Sequence, residues 1–297
     1  MTTRDVFFFT VGIGFLFLAK CQNMLTGYVA PKSFGTSETE RCIAYDISVV
    51  EDWMHHLGQY LQTDAATVLR DKAVLELGPG SDLGTGLCLL SKGVDTYNAC
   101  DVNDLAAAAP DALYEALLSQ IAEAGEMSTD HIREELARTR KGEPSRINSV
   151  VKQDFDLASA FGENSIDLVF SSRAFEHFDD IDAVVSGLSI VCRPGATIVA
   201  LIDLQTHSRW IKHKDPNNIY RYPRWLYDLF RFREQPNRLR PRDYDEAFER
   251  HGWTDIVLVP VKQLDEDRTD TLSAEFMNTS SQMDLLSIVL CARKQND

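Results

Sequence analysis

The sequence lacks the cysteine spacings that bind zinc or form disulfide frameworks. Its six cysteines are scattered along 297 residues, with no Cys-x-x-Cys and no Cys-x-x-Cys-His. Zinc ribbons, haem attachment and disulfide scaffolds are therefore not indicated. Free thiols inside apolar segments behave as small hydrophobic side chains, so we expect a reducing, cytoplasmic setting.

The sequence also lacks an excess of positive charge, since 30 Lys and Arg stand against 45 Asp and Glu and the formal net charge is -15 at pH 7. Nonspecific binding to nucleic acid would work against this charge, and we expect no nucleic-acid partner. The exception is residues 209–242, which hold ten Lys or Arg, three acids and seven aromatic side chains. This composition suits an anionic or glycosylated acceptor, with Trp210, Arg221, Arg238 and Arg240 as candidate contacts. The alternative is that the aromatic rings are core and the arginines a solvated rim.

Long apolar runs are missing except at residues 6–19. Fourteen residues are few for a membrane span, Gly12 and Gly14 weaken a helix, and Lys20 before Cys21 does not suit signal cleavage. We expect this segment to pack on the protein or on a partner. A membrane-associated end is the next alternative, and a disordered tail or a wrongly assigned start is the third.

The most informative segment is an apolar strand that stops abruptly in glycines, at residues 74–86. Gly78, Gly80 and Gly84 give G-x-G-x-x-x-G, whereas the dinucleotide fingerprint requires G-x-G-x-x-G, and the lysine and hydroxyl of a P-loop are missing. Glu76 precedes the first glycine by two residues, where it would repel an anionic ligand. Residues 85–91 are apolar and helix-compatible, so we predict a strand-turn-helix unit that suits the cationic end of a ligand.

This Glu-x-Gly-x-Gly pattern resembles motif I of the class I S-adenosylmethionine-dependent methyltransferases, in which the acid helps to hold the cofactor's amino group. In this family an acid such as Asp101, at the end of the second strand, accepts the ribose hydroxyls. Residues 166–178 are similar to the family's fourth strand and the segment after it. The resemblance implies S-adenosylmethionine as cofactor, with contacts at Glu76, Gly78, Pro79, Gly80, Asp101, Val102, Asp154, Phe155, Ser171 and Ser172.

The fold class implied by the resemblance is α/β, with a Rossmann-like, mostly parallel sheet of seven strands. Helices cover both faces, and the last strand is inserted antiparallel. Further strands are predicted at 96–102, 149–155, 166–171, 197–202, 255–261 and 284–291, and helices at 38–63, 105–124, 129–140 and 243–251. We predict an N-terminal apolar segment and helical cap at 1–63 and a methyltransferase domain at 64–297. The domain would carry helical insertions at 103–148, as a substrate lid or a peripheral decoration, and at 203–242.

Fewer residues are candidates for a catalytic role than for cofactor binding. Methyl transfer requires a base only when the acceptor is protonated, as a hydroxyl is. His207 lies four residues after Asp203, so a helical turn would place both on one face, and His177 is a second candidate base. Each has a purely structural or substrate-contacting alternative. A metal held by Asp203, His207 and His213 has no diagnostic spacing, and we predict no metal.

The acceptor class follows mainly from what is missing after the fourth strand. No Asn/Asp-Pro-Pro-Tyr/Phe occurs there, which disfavours methylation of nucleic-acid bases and of glutamine. We therefore predict in-line methyl transfer to the oxygen of a small molecule, sugar, lipid-linked group or natural-product intermediate. The alternatives are an inactive cofactor-binding partner subunit and a nicotinamide-dependent oxidoreductase, which the glycine spacing and Glu76 oppose.

Overall fold

The structure is a computed structural model, and it describes residues 2–27, 38–125, 129–265 and 271–296. Seven strands form one sheet in the order β3-β2-β1-β4-β5-β7-β6. Strands β1 to β5 are mutually parallel, and β7 runs antiparallel between β5 and β6. The strands are β1 Ala73–Leu77, β2 Thr96–Asp101, β3 Ile147–Val151, β4 Ile166–Ser172, β5 Cys192–Asp203, β6 Trp253–Gln263 and β7 Leu285–Lys294.

The helices lie on both faces of this sheet and along its carboxyl edge. They are α1 Thr3–Thr26, α2 Thr39–Leu61, α3 Ala65–Leu69, α4 Gly84–Ser91, α5 Asp111–Glu123, α6 Asp130–Arg140, α7 Leu157–Phe161, α8 Ile181–Val191, α9 Arg209–Lys212, α10 Arg224–Leu229 and α11 Pro241–Arg250. Short 3-10 turns occur at Ala106–Ala108, Phe175–His177, Asn218–Arg221, Ala274–Phe276 and Thr279–Ser281. The predicted fold class and the antiparallel last strand are confirmed.

Two hydrophobic cores sandwich the sheet. Apolar side chains of α2, α4, α5 and α6 form one core with one face of the sheet, and those of α7, α8 and α11 form the other core with the opposite face. Helix α2 therefore shares a core with the strands, and the predicted helices of the 103–148 insertion join the same layer. The Tyr114 hydroxyl on α5 accepts a hydrogen bond from the Leu83 backbone at 3.1 Å, so this insertion supports the glycine turn. The division at residue 63 and a lid role for the insertion stay predictions.

Two strand boundaries differ from the prediction. Strand β3 ends at Val151, so Asp154 and Phe155 follow the strand as part of the next loop. Phe155 has a φ of 49°, which an extended strand does not accommodate. Strand β5 already begins at Cys192, which pairs with Ile166 of β4 ahead of an irregularity in the register.

Helix α1 is longer than predicted and continues through both of its glycines. Asn218 donates to the Phe8 carbonyl at 3.0 Å, and the Tyr222 hydroxyl donates to the Phe9 carbonyl at 3.2 Å. A Cβ on Gly12 would lie 2.0 Å from the Tyr222 hydroxyl, so glycine is what allows this close approach. Because these tertiary contacts stabilise the helix, the expected weakening at Gly12 is wrong.

The other face of α1 is largely uncovered. Phe17 and Leu18 are among its exposed apolar side chains. Only 11 % of the most apolar 18-residue stretch of the helix is buried. The helix is long and apolar enough to cross a membrane, with a mean hydropathy of 1.5. The same measure fits a signal sequence, so length and composition leave the function of α1 open.

Candidate cofactor and acceptor site

The glycine turn after β1 has the backbone conformation that the sequence predicts. Gly78 and Gly80 have φ values of 72° and 79°, a region that favours glycine. A Cβ on Gly78 would lie 2.6 Å from the Cβ of Ala174. The turn therefore packs directly against the segment that follows β4, which brings two predicted motifs together at the carboxyl edge of the sheet.

Glu76 lies in the interior of this edge, and its carboxylate has two hydroxyl partners. Thr85 and Tyr97 each donate a hydrogen bond to Oε2 at 2.6 Å. Burial raises the pKa of Glu76 to about 7, although both hydroxyls favour the ionised form. A positive charge next to Glu76 would stabilise its carboxylate, since an opposite charge lowers the pKa of an acid.

Two further acids lie next to the start of α4. The Asp82 carboxylate accepts a hydrogen bond from the Gly84 backbone at 2.8 Å, and a Cβ on Gly84 would lie 2.1 Å from Oδ2 of Asp46. Burial, followed by the nearby Asp82, raises the pKa of Asp46 to about 9. Oδ2 of Asp46 is buried and has no hydrogen-bond partner within the described chain.

The acids around the turn thus form a buried cluster without an internal cation, and their raised pKa values show that the surroundings do not stabilise their negative charge. Glu76, Asp46 and Asp82 are 2 %, 4 % and 4 % exposed, and none of them forms an ion pair with a residue that the structure describes. Buried charges are normally paired. This donor set fits a ligand that carries positive charge, such as an ammonium or a sulfonium.

Asp101 ends β2 beside the turn, as predicted for the ribose acid. Its carboxylate accepts hydrogen bonds from the Gly80 backbone at 3.2 Å and from the Asn103 backbone at 3.0 Å. Burial raises the pKa of Asp101 despite these bonds. Asn103 also donates to the Glu234 side chain at 3.1 Å, which connects the turn to the 203–242 segment.

The remaining predicted cofactor residues have different surroundings. Pro79 and Val102 lie in the loops that follow β1 and β2 and are partly exposed. Asp154 is exposed and caps the Asp156 backbone at 3.3 Å, while the ring of Phe155 packs 4.7 Å from that of Phe178. Their contacts with adenine stay predictions.

The two predicted serines at the end of β4 differ from each other. The Ser171 hydroxyl is fully buried and donates to the Leu77 carbonyl at 3.0 Å. It therefore ties β4 to β1, and a contact of Ser171 with the cofactor stays a prediction. The Ser172 hydroxyl is buried without a hydrogen-bond partner in the described ranges and stays a candidate.

A second polar cluster lies beyond β4 and β5, and it contains the three candidate catalytic residues. The rings of His177 and His207 are 4.7 Å apart between centroids. Nε2 of His207 is 3.9 Å from Oε1 of Glu176 and 4.0 Å from Oδ2 of Asp203. The structure therefore brings His177, His207 and Asp203 together, with Glu176 as a member that the sequence reasoning missed.

The ionisation states within this cluster differ sharply. Burial, with the neighbouring Asp203, raises the pKa of Glu176 to about 8, whereas burial and His177 lower the pKa of His207 to about 3. Burial also lowers the pKa of His177. Burial pushes the pKa of Asp203 upward, but its hydrogen bond and ion pair with Lys212 outweigh burial and leave the pKa lowered. At neutral pH the cluster contains neutral imidazoles beside an ionised Asp203.

Asp203 is fully engaged by neighbours. Its Oδ1 accepts hydrogen bonds from the backbone and side chain of Gln205 at 3.1 and 2.9 Å, and its Oδ2 accepts one from Lys212. His213, the third member of the alternative metal set, is an exposed residue at the end of α9. The proposed pairing of Asp203 and His207 therefore exists, while Lys212 is the direct partner of the carboxylate.

The predicted substrate arginines are engaged in structural contacts. Arg221 makes two hydrogen bonds to Asp215, at 2.7 and 2.9 Å, and Arg238 pairs with Glu275. Arg240 is 3 % exposed and donates to the Ser281 and Leu285 carbonyls at 2.9 and 2.8 Å and to the Tyr220 hydroxyl at 3.2 Å. Arg221 and Arg238 each keep one buried guanidinium nitrogen without a hydrogen-bond partner in the described ranges, and the contacts of these arginines with a substrate stay predictions.

Trp210 remains partly exposed, at 46 %. Its ring packs 6.1 Å from that of Phe15 on α1, and Lys214 lies 4.8 Å from its centroid. Trp210 thus joins the 203–242 segment to the N-terminal helix, and its contact with substrate stays a prediction.

Several site residues had weaker sequence signals. Asp46 falls on the apolar stripe of α2 with Ile43 and Val50, a pattern that indicates a buried acid. Glu176 is adjacent to His177 in the same motif. Tyr97 and Thr85 carried no signal, because nothing in the sequence relates a tyrosine in β2 to an acid in β1.

Two surface cavities lie away from this edge. One, of about 580 Å³, is lined by Ala73, Asn98 and Ile147 at the beginning or middle of the strands. The other, of about 690 Å³, is lined by residues at the start of α8, at the start of α11 and on α10. Neither is lined by Glu76, Asp101 or His207.

Comparison with known proteins agrees with the architecture. Residues 115–200, which span α5 to β5, match a family model described as a methyltransferase domain. No curated protein matches the sequence.

Among solved structures, similarity extends over most of this chain at low identity. The CurJ carbon methyltransferase is 14 % identical, with a TM-score of 0.41 over 77 % of this chain and 50 % of that one, so this chain spans half its length. A phosphoethanolamine N-methyltransferase 2 from Haemonchus contortus in complex with S-adenosyl-L-methionine is 14 % identical, with a TM-score of 0.43 over 76 % and 49 %. A SAM dependent methyltransferase from Archaeoglobus fulgidus is 15 % identical, with a TM-score of 0.43 over 82 % and 94 %.

The family match covers β3, β4 and most of β5, while β1, the glycine turn and β2 lie before the matched range. The buried acids of the glycine turn suit a cationic cofactor. Residues 115–200 match a methyltransferase domain, the seven-stranded sheet has a Rossmann-like order, and together these findings indicate S-adenosylmethionine as the cofactor.

Proposed function

We propose that the protein transfers the methyl group of S-adenosylmethionine to an oxygen of a small-molecule acceptor. The observation that carries this proposal is the position of the cluster of Glu176, His177 and His207 directly beyond the glycine turn. Ala174, which contacts the turn, precedes Glu176 by two residues. A proton-accepting group next to the methyl donor is useful when the acceptor is a hydroxyl.

The residues of the turn would hold the cofactor by charge and by hydrogen bonds. Glu76 supplies a carboxylate for the amino group, and Asp101 supplies one for the ribose hydroxyls. When bound, the cofactor supplies a methyl group on a positively charged sulfur. The acids at the turn therefore match the cofactor's charge before transfer more closely than they match its neutral sulfur product.

The residues beyond β4 and β5 would position the acceptor and take its proton. The oxygen forms a bond to the methyl carbon while the carbon-sulfur bond breaks and its electron pair moves to sulfur. The hydroxyl proton passes to Nε2 of His207, whose imidazole is neutral in the unliganded protein and whose lowered pKa must rise when the acceptor binds. Asp203, held by Lys212, stabilises the charge that His207 acquires.

The overall acidity of the chain supports a small acceptor over a polynucleotide. The net charge is -15, and Arg221, Arg238 and Arg240 make internal contacts with Asp215, Glu275 and backbone carbonyls. We propose a neutral or glycosylated hydroxyl compound rather than a strongly anionic one.

Calorimetry with S-adenosylmethionine, S-adenosylhomocysteine and NAD tests the cofactor. We expect both sulfur compounds to bind and NAD to give no heat. Transfer of a labelled methyl group to a panel of phenols, sugars and amines then tests the acceptor. Binding without transfer to any hydroxyl compound, together with transfer to an amine, would contradict an oxygen acceptor.

A further inference from the structure

Glu176 is the most poorly satisfied carboxylate in the described part of the chain. It is 2 % exposed, and both Oε1 and Oε2 are buried without a hydrogen-bond partner among the described residues. A buried carboxylate without a side-chain hydrogen-bond donor loses its hydration and regains little of that free energy. Such a group indicates that something outside the chain completes the site.

His177 is oriented in the way that metal-binding histidines are. Its Nδ1 lies 2.6 Å from the Glu234 carbonyl. A carbonyl only accepts hydrogen bonds, so Nδ1 carries the proton and Nε2 has a free lone pair. A histidine ligand typically donates its other ring nitrogen to a carbonyl or carboxylate, which fixes the tautomer and the ring orientation.

His207 provides a second nitrogen at a compatible distance. One ligand atom from each of Glu176, His177 and His207 lies within 4.8 Å of the others, and the separation of Nε2 of His207 from Oε1 of Glu176 is 3.9 Å. Two ligands at about 2.1 Å from one metal ion are separated by at most about 4.2 Å. A small rotation of the side chains closes the widest gap.

We propose that Glu176, His177 and His207 bind a divalent transition metal ion, of which Zn²⁺ is the best match. Two imidazoles and one carboxylate suit zinc and iron better than magnesium or calcium, which prefer oxygen ligands. Asp203 is excluded as a first choice because Lys212 and Gln205 occupy its oxygens.

The inference deepens the proposed function and rests on it for the role of the metal. Three protein ligands leave coordination positions open, as catalytic sites do, and the side chain of His207 is 30 % exposed, so the cluster is accessible. An acceptor hydroxyl would bind at an open position. Its proton would leave to water, and His207 would then act as a ligand instead of a base.

The test is titration of the full-length, chelator-treated protein with Co²⁺, followed by its visible absorption, with Zn²⁺ added afterwards as competitor. We expect one equivalent of Co²⁺ to bind and Zn²⁺ to displace it. His207→Gln and Glu176→Gln should each weaken Co²⁺ binding at least tenfold. His213→Gln, which changes an exposed histidine of the same segment, should bind as the wild type does.

S-adenosylhomocysteine affinity serves as the folding control, since the variants leave the glycine turn unchanged. The proposal is overturned if the wild type binds no Co²⁺, or if His207→Gln with normal S-adenosylhomocysteine affinity binds Co²⁺ as tightly as the wild type. If the protein transfers methyl to a hydroxyl compound but binds no metal, the metal proposal fails and the proposed function stands. If the protein binds Co²⁺ but transfers no methyl to oxygen, the proposed acceptor chemistry fails and the metal site stands.

Discussion

Glu76 and Glu176 occupy neighbouring positions at the same edge of the sheet, but the fold treats them differently. Both are 2 % exposed, and burial raises the pKa of both, to about 7 and about 8. Glu76 accepts hydrogen bonds from Thr85 and Tyr97, whereas Glu176 has no partner within the described chain.

This difference indicates what kind of ligand suits each carboxylate. The hydroxyls fix the orientation of Glu76, so its charge is preorganised for a cationic cofactor that arrives and leaves in each turnover. Glu176 has no such hydroxyl partner, and Nε2 of His207 lies 3.9 Å from its Oε1. A carboxylate without internal donors is most stable when a proton or a metal ion neutralises it.

The largest expected effect is on turnover, when Glu176 is replaced by glutamine. We expect Glu176→Gln to lower kcat by about 100-fold or more while the Kd for S-adenosylmethionine changes less than about twofold, because Glu176 acts on the acceptor side of the site. Labelled-methyl transfer and calorimetry measure the two quantities. Glu163→Gln, at an exposed position, is the matched control, and a parallel loss of cofactor affinity would make Glu176 part of the cofactor site.

The second effect is on cofactor affinity, when Glu76 is replaced by alanine. Loss of a charge-assisted contact costs about 1 to 3 kcal/mol, so Glu76→Ala should weaken S-adenosylmethionine binding by about 5- to 150-fold. Calorimetry measures the Kd, with Glu163→Ala as control. An unchanged Kd would show that Glu76 does not contact the amino group.

A smaller effect is expected at Asp101. Its carboxylate already accepts two backbone hydrogen bonds, so it contributes less new interaction on binding than Glu76 does. We expect Asp101→Asn to weaken S-adenosylmethionine about fivefold and adenosine by a similar factor, since the ribose is common to both. If methionine affinity fell instead, Asp101 would belong to the amino-acid end of the site.

The smallest effect concerns pH. Because the pKa of Glu76 is raised to about 7, Glu76 must lose a proton when a cationic ligand binds below that pH. S-adenosylmethionine affinity should therefore fall several-fold between pH 7.5 and pH 6, and the decrease should disappear in Glu76→Gln. Calorimetry at fixed ionic strength provides the measurement, and an identical pH profile in the variant would assign the proton to another acid.

The glycine turn was predictable because its determinants are local. Two glycines with positive φ, an apolar strand before them and an apolar helix after them are all contiguous in sequence. The acid at Asp101 was predictable for the same reason, since parallel strands end at a common edge.

The histidine pair was only partly predictable. His177 and His207 come from the ends of different strands, and their ring separation depends on the register of β4 with β5. Whether Glu176 would find a hydrogen-bond donor could not be read from a motif. The internal contacts of Arg221, Arg238 and Arg240 could not be predicted, because composition records charge but not the carboxylates and carbonyls that the fold places around it.

The sequence by itself determined the strand-turn-helix unit, the order of the acids along the chain and thereby the cofactor, because short-range backbone geometry and strand polarity control these features. Only the tertiary structure decided which charges are satisfied. The hydroxyls of Tyr97 on β2 and Thr85 on α4 donate hydrogen bonds to Glu76. Asp46 on α2 and Asp82 of the turn lie together next to Gly84. Glu176 has no hydrogen-bond partner within the described chain. Satisfaction of a buried charge depends on groups distant in sequence, and it is this property that distinguishes the turn with Glu76 from the cluster with Glu176.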